Sequence, residues 1–267
     1  MDIEKKVVEA WKKVKKKRPL VHHITNPVVA NDSANVLLAL GAYPVMAQAR
    51  EEVEEMVAQS QALVINLGVP TPELVESAIL AGREANRQGI PVVFDPVGVG
   101  ATRFRTISGE KILDLVEVAL VRGNPGEISA LLGHSSRMRG VNFVGQLEDL
   151  SSLVKEAGHR WKATVAVTGR IDYVSDGKRL ARVSNGHPWL TRVTGTGCMV
   201  SSLCAALTAV ESDLVLASAT ALGLWGVCGE IAATRSSGIG SFRVSLFDVL
   251  SEMSADEFLK SLKIEVD

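Results

Sequence analysis

Short apolar runs rich in β-branched residues alternate along the chain with longer segments of helical periodicity. Each run ends in a turn signal that contains Gly, Pro or Asn, which is typical of a buried strand. The predicted strands cover residues 43–47, 62–68, 91–96, 118–125 and 164–169. Segments 50–60 and 71–88 predict helices between them, and the second begins with Thr71-Pro72, a favourable N-cap and N1 pair.

This alternation predicts an α/β fold with a mostly parallel central sheet and helices on both faces. The pattern changes after residue 169, because 172–184 reads as two short strands around the turn signal Asp176-Gly177. We expect this hairpin to form an antiparallel edge of the sheet. From Gly197 onward the pattern predicts helices almost to the end, and no linker or repeat divides residues 1–267, so we expect a single domain.

Composition indicates a globular protein with a sizeable core, since 46% of the 267 residues are hydrophobic. A formal net charge of −1 and only 4% aromatic residues argue against nucleic acid as a partner. Two uncharged runs, between Arg192 and Glu211 and between Asp213 and Glu230, approach membrane-spanning length. Their Gly, Ser, Thr and Ala content favours closely packed core helices, so we expect no membrane association.

The N-terminal stretch and the cysteines favour a cytoplasmic location. The stretch lacks the apolar core of a signal peptide, and its apolar residues from Val7 to Val14 recur at the spacing of an amphipathic helix. The three cysteines, Cys198, Cys204 and Cys228, show neither a Cys-x-x-Cys pair nor a Cys/His metal spacing. Unpaired thiols of this kind are typical of a reducing compartment.

Polar residues and glycines collect where the predicted strands end. These positions are Asn66 and Gly68, Asp95 with Gly98 and Gly100, residues 122–127 and residues 168–170. Ligands of open parallel sheets bind beyond the carboxyl ends of the strands, so the groups together predict a site there. The signatures of P-loop, dinucleotide-binding, serine hydrolase and zinc protease sites are absent from the sequence.

The segment VTGTGCMVSSLCAAL (193–207) places glycines and threonines before a predicted buried helix. The first turn of a helix has unpaired N–H groups and the positive end of the helix dipole, and glycines let these amides approach an anion. Gly195, Thr196, Gly197 and Cys198 therefore indicate a cradle for a phosphoryl group. We expect this location to lower the pKa of the Cys198 thiol. A glycine-rich cap with a small buried cysteine is the alternative.

Together these segments resemble the hydroxyethylthiazole kinase family of the ribokinase-like superfamily. The resemblance spans essentially the whole chain, through HHITNPVVANDSANVLLALGAYPVMA (22–47), VFDPVGVGATRFR (93–105), RGNPGEISAL (122–131), VTGR and TGTGC. It implies a ribokinase-like fold and ATP-dependent phosphorylation of the hydroxyl of 4-methyl-5-(2-hydroxyethyl)thiazole, a step of thiamine salvage. It also implies Mg²⁺ and a homotrimer with thiazole sites at subunit boundaries.

On the acceptor side, the resemblance places Met46 and the backbone of Gly195 against the thiazole. Core packing is the alternative for Met46, a methionine at a strand end. Asn26, in Thr25-Asn26-Pro27, is predicted as a further substrate contact, and an Asx turn is its alternative.

On the nucleotide side, the resemblance implies that Arg122 and Thr168 hold ATP. A guanidinium is a planar, permanently charged donor suited to phosphate oxygens. Asp95 and Glu127 lie where the superfamily arranges Mg²⁺ and phosphate, with Glu127 in an Asn-x-x-Glu pattern that starts at Asn124. Asn124 is predicted to contact phosphate. Carboxylates are hard oxygen ligands, and Mg²⁺ usually takes only one or two of them beside phosphates and water.

Cys198 stands where most of the superfamily has an aspartate base, so we expect it to take the proton of the alcohol during in-line transfer. A loose transition state needs little early proton transfer, so a weak base suffices. An ATP-dependent repair dehydratase for nicotinamide nucleotides has a related fold, but an aspartate is expected there at this position. A non-catalytic nucleotide-binding protein is the third reading, against which the set of Asp95, Arg122, Glu127 and Cys198 argues.

Overall fold

The computed structural model describes residues 3–134, 138–139, 142–143 and 149–267, and most of its strands join one nine-stranded sheet. The strands of this sheet are β1 (Leu20–Ile24), β2 (Tyr43–Met46), β3 (Ala62–Asn66), β4 (Val92–Asp95), β5 (Leu120–Gly123), β8 (Thr164–Val167), β9 (Asp172–Ser175), β10 (Leu180–Val183) and β11 (Ile264–Val266). A separate antiparallel pair consists of β6 (Met138–Arg139) and β7 (Asn142–Phe143).

The strand order is β11-β10-β9-β8-β5-β4-β3-β1-β2, with parallel pairing from β2 to β8 and antiparallel pairing from β8 to β11. The predicted mostly parallel sheet and its antiparallel hairpin are therefore confirmed. Two strands of this sheet, and the separate pair β6 and β7, were not predicted from the sequence. His22 and His23 interrupt the apolar pattern of β1, and β11 follows a helical region as only three residues.

Helices cover both faces of the sheet. They are α1 (Ile3–Lys17), α2 (Ala30–Leu40), α3 (Val53–Ala58), α4 (Pro72–Gln88), α5 (Arg103–Leu115), α6 (Pro125–Leu131), α7 (Leu150–Trp161), α8 (Thr196–Thr208), α9 (Leu214–Thr234), α10 (Ile239–Glu252) and α11 (Ala255–Ser261). Helices α3 to α7 share the hydrophobic cluster on one face, and the other helices share the cluster on the opposite face. Thr71 caps α4 as predicted, since its Oγ1 accepts from the Leu74 N–H at 3.1 Å.

The apolar helices of the second half form the core of one face. Helix α9 is long and apolar enough to cross a membrane, but 83% of its most apolar window is buried within the protein. It packs against α8, α10 and α1. The predicted stripe of α1 lies in the same interior, where Trp11 meets Phe258 edge-on at a ring distance of 5.5 Å.

The topology positions a crevice at the carboxyl ends of β1 and β3. The chain leaves β1 for β2 on one side, then crosses to β3 on the other, and the sheet continues from there. Such a switch point is where ligands bind in open α/β sheets. Helix α8 packs across β1, β3 and β4 on one face, which brings its side chains next to those strand ends.

Candidate active site

A chain of hydrogen bonds joins the carboxyl ends of β1, β3 and β4 to α8. Asn26 Nδ2 donates to Asn66 Oδ1 at 2.8 Å, and Asn66 Nδ2 donates to Asp95 Oδ2 at 2.9 Å. Ser201 Oγ, on α8, donates to the same Asp95 oxygen at 2.7 Å. All of these side chains are at most 2% exposed. The network therefore lies below the surface and fixes the positions of the strand ends relative to α8.

The structure assigns Asn26 the structural role that the sequence left open. Its Oδ1 accepts from the Val28 N–H at 3.1 Å, which is an Asx turn, while its Nδ2 is bound to Asn66. The side chain is 2% exposed, and its contact with the substrate stays a prediction. Burial and two local hydrogen bonds direct this amide into the network.

Asp95 is the most buried carboxylate of the site. Its Oδ1 has no hydrogen-bond partner within the described part of the chain, while its Oδ2 lies 3.8 Å from Arg122 Nη1. Burial raises the pKa of Asp95 against the opposing effect of Arg122. Burial and the charge of Asp95 raise the pKa of Glu127 to about 7. Two carboxylates in one buried place favour a cation between or beside them.

Glu127 and Asn124 form a capping box at the start of α6. The Glu127 N–H donates to Asn124 Oδ1 at 3.0 Å, and the Asn124 N–H donates to Glu127 Oε2 at 2.8 Å. Glu127 Oε1 accepts from the Gly98 N–H of the loop after β4 at 2.8 Å. Each Glu127 oxygen thus accepts one backbone N–H and keeps a second lone pair. The contact of Asn124 with phosphate remains a prediction.

Arg122 lies against the first turn of α8. Its Nη2 donates to Thr168 Oγ1, so two residues predicted to hold ATP are in direct contact. A Cβ at position 197 would lie 2.8 Å from Arg122 Nη1, so only glycine leaves room for this guanidinium. Gly195 precedes the helix at φ 89° with no side-chain cap. The first turn therefore presents its backbone N–H groups beside a fixed positive charge, which is an arrangement for binding an anion.

Thr196 contributes to this turn through its backbone. Its hydroxyl donates to the Leu190 carbonyl at 2.7 Å and is turned into the preceding 3₁₀ segment, η1 (Pro188–Arg192). We therefore expect the phosphate contact of Thr196 to be its N–H group.

The prediction of a lowered thiol pKa at Cys198 is wrong. Burial raises the pKa of Cys198 to about 12, the charge of Asp95 adds to the shift, and hydrogen bonding by Asn66 only partly offsets it. The helix N-terminus is outweighed because the thiol lies between low-polarity packing and a carboxylate. Cys198 is therefore a neutral thiol at neutral pH, partly accessible from outside.

Met46 and Gly195 both lie close to β1 or to the segment that follows it. Met46 is the last residue of edge strand β2 and is paired in register with His23 of β1. A Cβ at Gly195 would lie 2.8 Å from Val29 Cγ1, so the backbone of Gly195 closely approaches the segment between β1 and α2. Contact of either residue with the thiazole remains a prediction.

Several residues of the site were not assigned a role from the sequence. Asn66 and Ser201 hold Asp95, and their side chains carry no recognised motif. Arg105 Nη1 donates to the carbonyls of Leu67 and Val97 at 2.6 and 2.8 Å. Arg105 Nη2 donates to the Gly68 carbonyl at 2.9 Å, which ties the loops after β3 and β4 together. The one sequence signal for a role of Asn66 was its position at the end of a predicted strand.

The loop after β8 borders a second part of the site. Asp172 Oδ1 accepts from the Gly169 N–H at 2.9 Å, and burial raises the pKa of Asp172 to about 7. Beside this loop is a cavity of about 590 Å³. It is lined by Leu150, Arg170, Ile171, Tyr173 and Ser184.

In the described ranges, no group of three or more His, Cys, Asp or Glu side chains is arranged to hold a metal ion. The adjacent histidines of β1 serve packing, since burial lowers the pKa of His23 to about 4 and its Nε2 lies 2.9 Å from Ser202 Oγ.

Comparison with known proteins gives a consistent result. The Hydroxyethylthiazole kinase family model matches residues 11–256. A hydroxyethylthiazole kinase of Moorella thermoacetica is 47% identical over 266 residues, which is 100% of both chains. The solved structure of a hydroxyethylthiazole kinase protein from Pyrococcus horikoshii OT3 is 45% identical, with a TM-score of 0.92 over 98% of this chain and 99% of that one. A ribokinase-like superfamily protein from Enterococcus faecalis shares the fold at 11% identity, with a TM-score of 0.66 over 89% of this chain and 88% of that one.

Proposed function

The chain belongs to the hydroxyethylthiazole kinase family and phosphorylates the hydroxyl of 4-methyl-5-(2-hydroxyethyl)thiazole with ATP in thiamine salvage; from this premise we propose which residues carry the reaction. The observation that carries the proposal is the guanidinium of Arg122 lying against the uncapped first turn of α8. We assign the transferred phosphoryl group to the space beside these two features.

Charge placement supports this assignment. In a loose transition state negative charge spreads over the equatorial oxygens of the phosphoryl group, so donors fixed in advance lower the barrier. The N–H groups of Thr196, Gly197 and Cys198 begin α8, and the first intrahelical acceptor, Gly195 O, binds Met199. Thr168 fixes the Arg122 fork next to them. Together they supply oriented positive charge without any rearrangement.

The acceptor alcohol is assigned to the crevice between β1 and β3, with the thiazole ring toward Met46 and the backbone of Gly195. Cys198 begins α8 at the boundary between the two substrates. Because its pKa is raised to about 12, we assign it the positioning of the hydroxyl through a neutral thiol, with the proton leaving late in the transfer. The alcohol proton then passes to an oxygen of the transferred phosphoryl group as the oxygen–phosphorus bond forms, because a neutral thiol cannot take it.

The residues fit a magnesium ion. Asp95 Oδ1 is buried and finds no hydrogen-bond partner among the residues that the structure describes, and each oxygen of Glu127 keeps one lone pair. These are hard oxygen donors from two residues, and Mg²⁺ usually combines such a pair with water and phosphate oxygens. We propose that Asp95 and Glu127 hold it, and that the ion when bound neutralises charge on the phosphates.

The nucleoside end of ATP is assigned to the cavity beside the β8–β9 loop. The cavity of about 590 Å³ is large enough for a nucleoside. Two of its lining residues, Arg170 and Ile171, come shortly after Thr168 in the sequence. Ile171 and Tyr173 give it apolar and aromatic walls. An extended ATP then runs from this loop across Arg122 to the first turn of α8.

We further propose a homotrimer in the cytoplasm, with acceptor sites at subunit boundaries. A ring requires two different, complementary patches on one chain. One helical layer exposes Val28, Leu38 and Val244, each more than half accessible at 62%, 54% and 58%. The other layer exposes Val69, Phe104 and Ile107 at 43%, 44% and 48%. The unpaired thiols agree with a reducing compartment.

The deciding experiment measures ADP release from ATP and Mg²⁺ with and without the thiazole alcohol, and the product mass. We expect ADP release that depends on the thiazole and a product heavier by one phosphoryl group. ATP binding without turnover of the alcohol would instead favour a nucleotide-binding protein, and conversion of a hydrated nicotinamide nucleotide would favour the dehydratase. Variants Arg122→Ala and Arg122→Lys should both lose activity, because an ammonium cannot reproduce the fork.

A further inference from the structure

The side-chain amide of Asn66 uses nearly its full hydrogen-bonding capacity. Its Oδ1 accepts from Asn26 Nδ2 at 2.8 Å and from the Gly68 N–H at 2.9 Å. Its Nδ2 donates one hydrogen to Asp95 Oδ2 at 2.9 Å. An amide has two acceptor positions and two donor hydrogens, so only the second Nδ2 hydrogen is left. The partners on the oxygen side are both donors, which fixes the amide in one orientation.

Asn66 also lies near the Cys198 thiol, whose pKa it lowers against the larger opposing effect of burial. Asn66 is 1% exposed and cannot contact a substrate directly. It therefore holds Asp95 from the protein side and lies close to a second residue of the proposed reaction, Cys198.

Asp95 is held asymmetrically. Asn66 of β3 and Ser201 of α8 both donate to one of its oxygens, at 2.9 and 2.7 Å, while the other has no partner among the residues that the structure describes. Because two donors from different elements bind Oδ2, they fix the plane of the carboxylate. They also fix the direction in which Oδ1 points. A single donor would leave rotation about the Cβ–Cγ bond open.

We propose that Asn66 is a positioning residue of the phosphoryl transfer, which with Ser201 holds the Asp95 carboxylate with one oxygen bound and one oxygen available. The inference rests on the proposed function, because it assumes that Asp95 acts at the phosphates. Arrangements of this kind matter because small displacements of an aligned group cost large factors in rate.

Asn66→Asp tests the proposal with almost no change of shape. The new carboxylate keeps an acceptor for Asn26 and Gly68 but loses both donor hydrogens and places a like charge beside Asp95. We expect kcat to fall by about tenfold or more, with KM for the thiazole within about threefold of wild type. A kcat within about twofold of wild type overturns the proposal.

The rate at which iodoacetamide alkylates Cys198, measured by peptide mass spectrometry, distinguishes a loss of positioning by Asn66 from a general loosening of the site. Cys204 and Cys228 are fully buried, so the signal belongs to Cys198. Loss of the donor and gain of a negative neighbour should slow alkylation by about fivefold in Asn66→Asp. Faster alkylation would mean that the site has merely opened, and would also overturn the proposal.

Asn86→Asp is the matched control. Asn86 Nδ2 donates to the Glu117 carbonyl at 2.7 Å, and its Oδ1 accepts from the Glu117 N–H at 2.8 Å, away from the site. Because Asn86 is only half-buried, this variant should lose no more thermal stability than Asn66→Asp and should keep wild-type kcat. If Asn86→Asp loses kcat as well, the effect is one of general stability and the proposal fails.

Ser201→Ala decides the matter if Asn66→Asp does not fold, since it adds no charge and removes only the second donor to Asp95. We expect kcat to fall by about threefold or more at unchanged KM, and an unchanged kcat overturns the proposal.

Asp95→Asn distinguishes a failure of the role proposed for Asp95 from a failure of the role proposed for Asn66. If Asp95→Asn keeps wild-type kcat, the role proposed for Asp95 fails and the inference fails with it. If Asp95→Asn is inactive while the other variants are active, only the inference fails.

Discussion

At the scale of single residues, the environment of Cys198 decides its chemistry more than its position does. A thiol in the first turn of a helix is expected to ionise easily, yet burial and the nearby Asp95 raise its pKa to about 12. The residue type and its place on α8 were predictable from the sequence. Its pKa was not, because the depth of α8 against the sheet is a tertiary property.

We therefore predict that Cys198→Ala retains measurable activity. General-base assistance is typically worth about 10²–10⁴-fold, and the charge around the phosphoryl group is untouched by this change. Cys198→Asp, which supplies the carboxylate of most of the superfamily, should be active. The measurement is kcat from pH 6 to 9, where the wild type should show no titration of the thiol. Isolation of a phospho-cysteine intermediate would contradict this role.

Asp172 gives a prediction about stability and pH. Its pKa is raised from 3.8 to about 7 by burial, so between these values the folded protein holds a proton that the unfolded chain has released. The free energy of unfolding therefore falls as pH rises through this range. Asp172→Asn should raise the melting temperature by about 2–4 °C at pH 8 and by less at pH 5.

Thermal unfolding at the two pH values checks this expectation. Asp114→Asn, which removes one exposed charge from α5, serves as the control for net charge and should show no such pH-dependent difference. An equal gain at both pH values for Asp172→Asn would mean that the carboxylate does not titrate in this range.

At the scale of elements, the anion site at the first turn of α8 depends on two glycines, which have no side chain. Gly195 supplies a left-handed residue before the helix, and Gly197 leaves room for Arg122. The glycine pattern alone predicted an anion site at a helix start. It could not show that a guanidinium fills the space left by Gly197, because Arg122 lies on β5, far away in sequence.

Gly197→Ala should raise KM for ATP about fivefold or more, because its Cβ would lie 2.8 Å from Arg122 Nη1 and displace the guanidinium. The steady-state KM for both substrates is the measurement, and KM for the thiazole should change less. Gly240→Ala, on α10 with nothing within 4 Å of the added Cβ, is the matched control and should resemble wild type. Equal KM values for the two variants would contradict the arrangement.

The elements that were hard to predict share a physical cause. β1 carries two histidines whose Nε2 atoms meet their partners, Ala47 and Ser202, only after folding, so its sequence does not look like a buried strand. Helix α3 is shorter than the predicted helix over 50–60, since residues 50–52 and 59 at its two ends are exposed and do not pack against the sheet. The strands of the parallel region were predictable because both faces are covered and their runs are apolar throughout.

At the scale of the whole molecule, we expect assembly through the two apolar patches. Val244→Glu and Phe104→Glu each place a charge in a different patch, and one damaged patch is enough to break a ring. Sedimentation or light scattering should give a trimer for the wild type and a smaller species for either variant, with reduced activity if the sites lie at boundaries.

Val266→Glu is the control, because Val266 is also exposed, at 41%, but lies on β11 at the far edge of the sheet. It should leave the mass unchanged. A wild-type monomer with full activity would show that neither patch is an interface. The patches themselves could not be predicted from the sequence, since each is made of residues that lie far apart along the chain.

The close approach of Gly68 to Asn26 also constrains how this enzyme can change over generations. A Cβ at position 68 would lie 2.0 Å from Asn26 Nδ2 and 2.9 Å from Asn66 Oδ1, so no other residue fits while both amides stay in place. Shortening Asn26 first would make room, but it would remove one of the two donors to Asn66 Oδ1 and leave only the Gly68 N–H. A single substitution at either position 26 or position 68 thus disturbs the hydrogen bonds of Asn66. We expect lineages to inherit the two positions as a pair, while the neighbouring exposed Val69 drifts freely wherever it is not covered by a partner subunit.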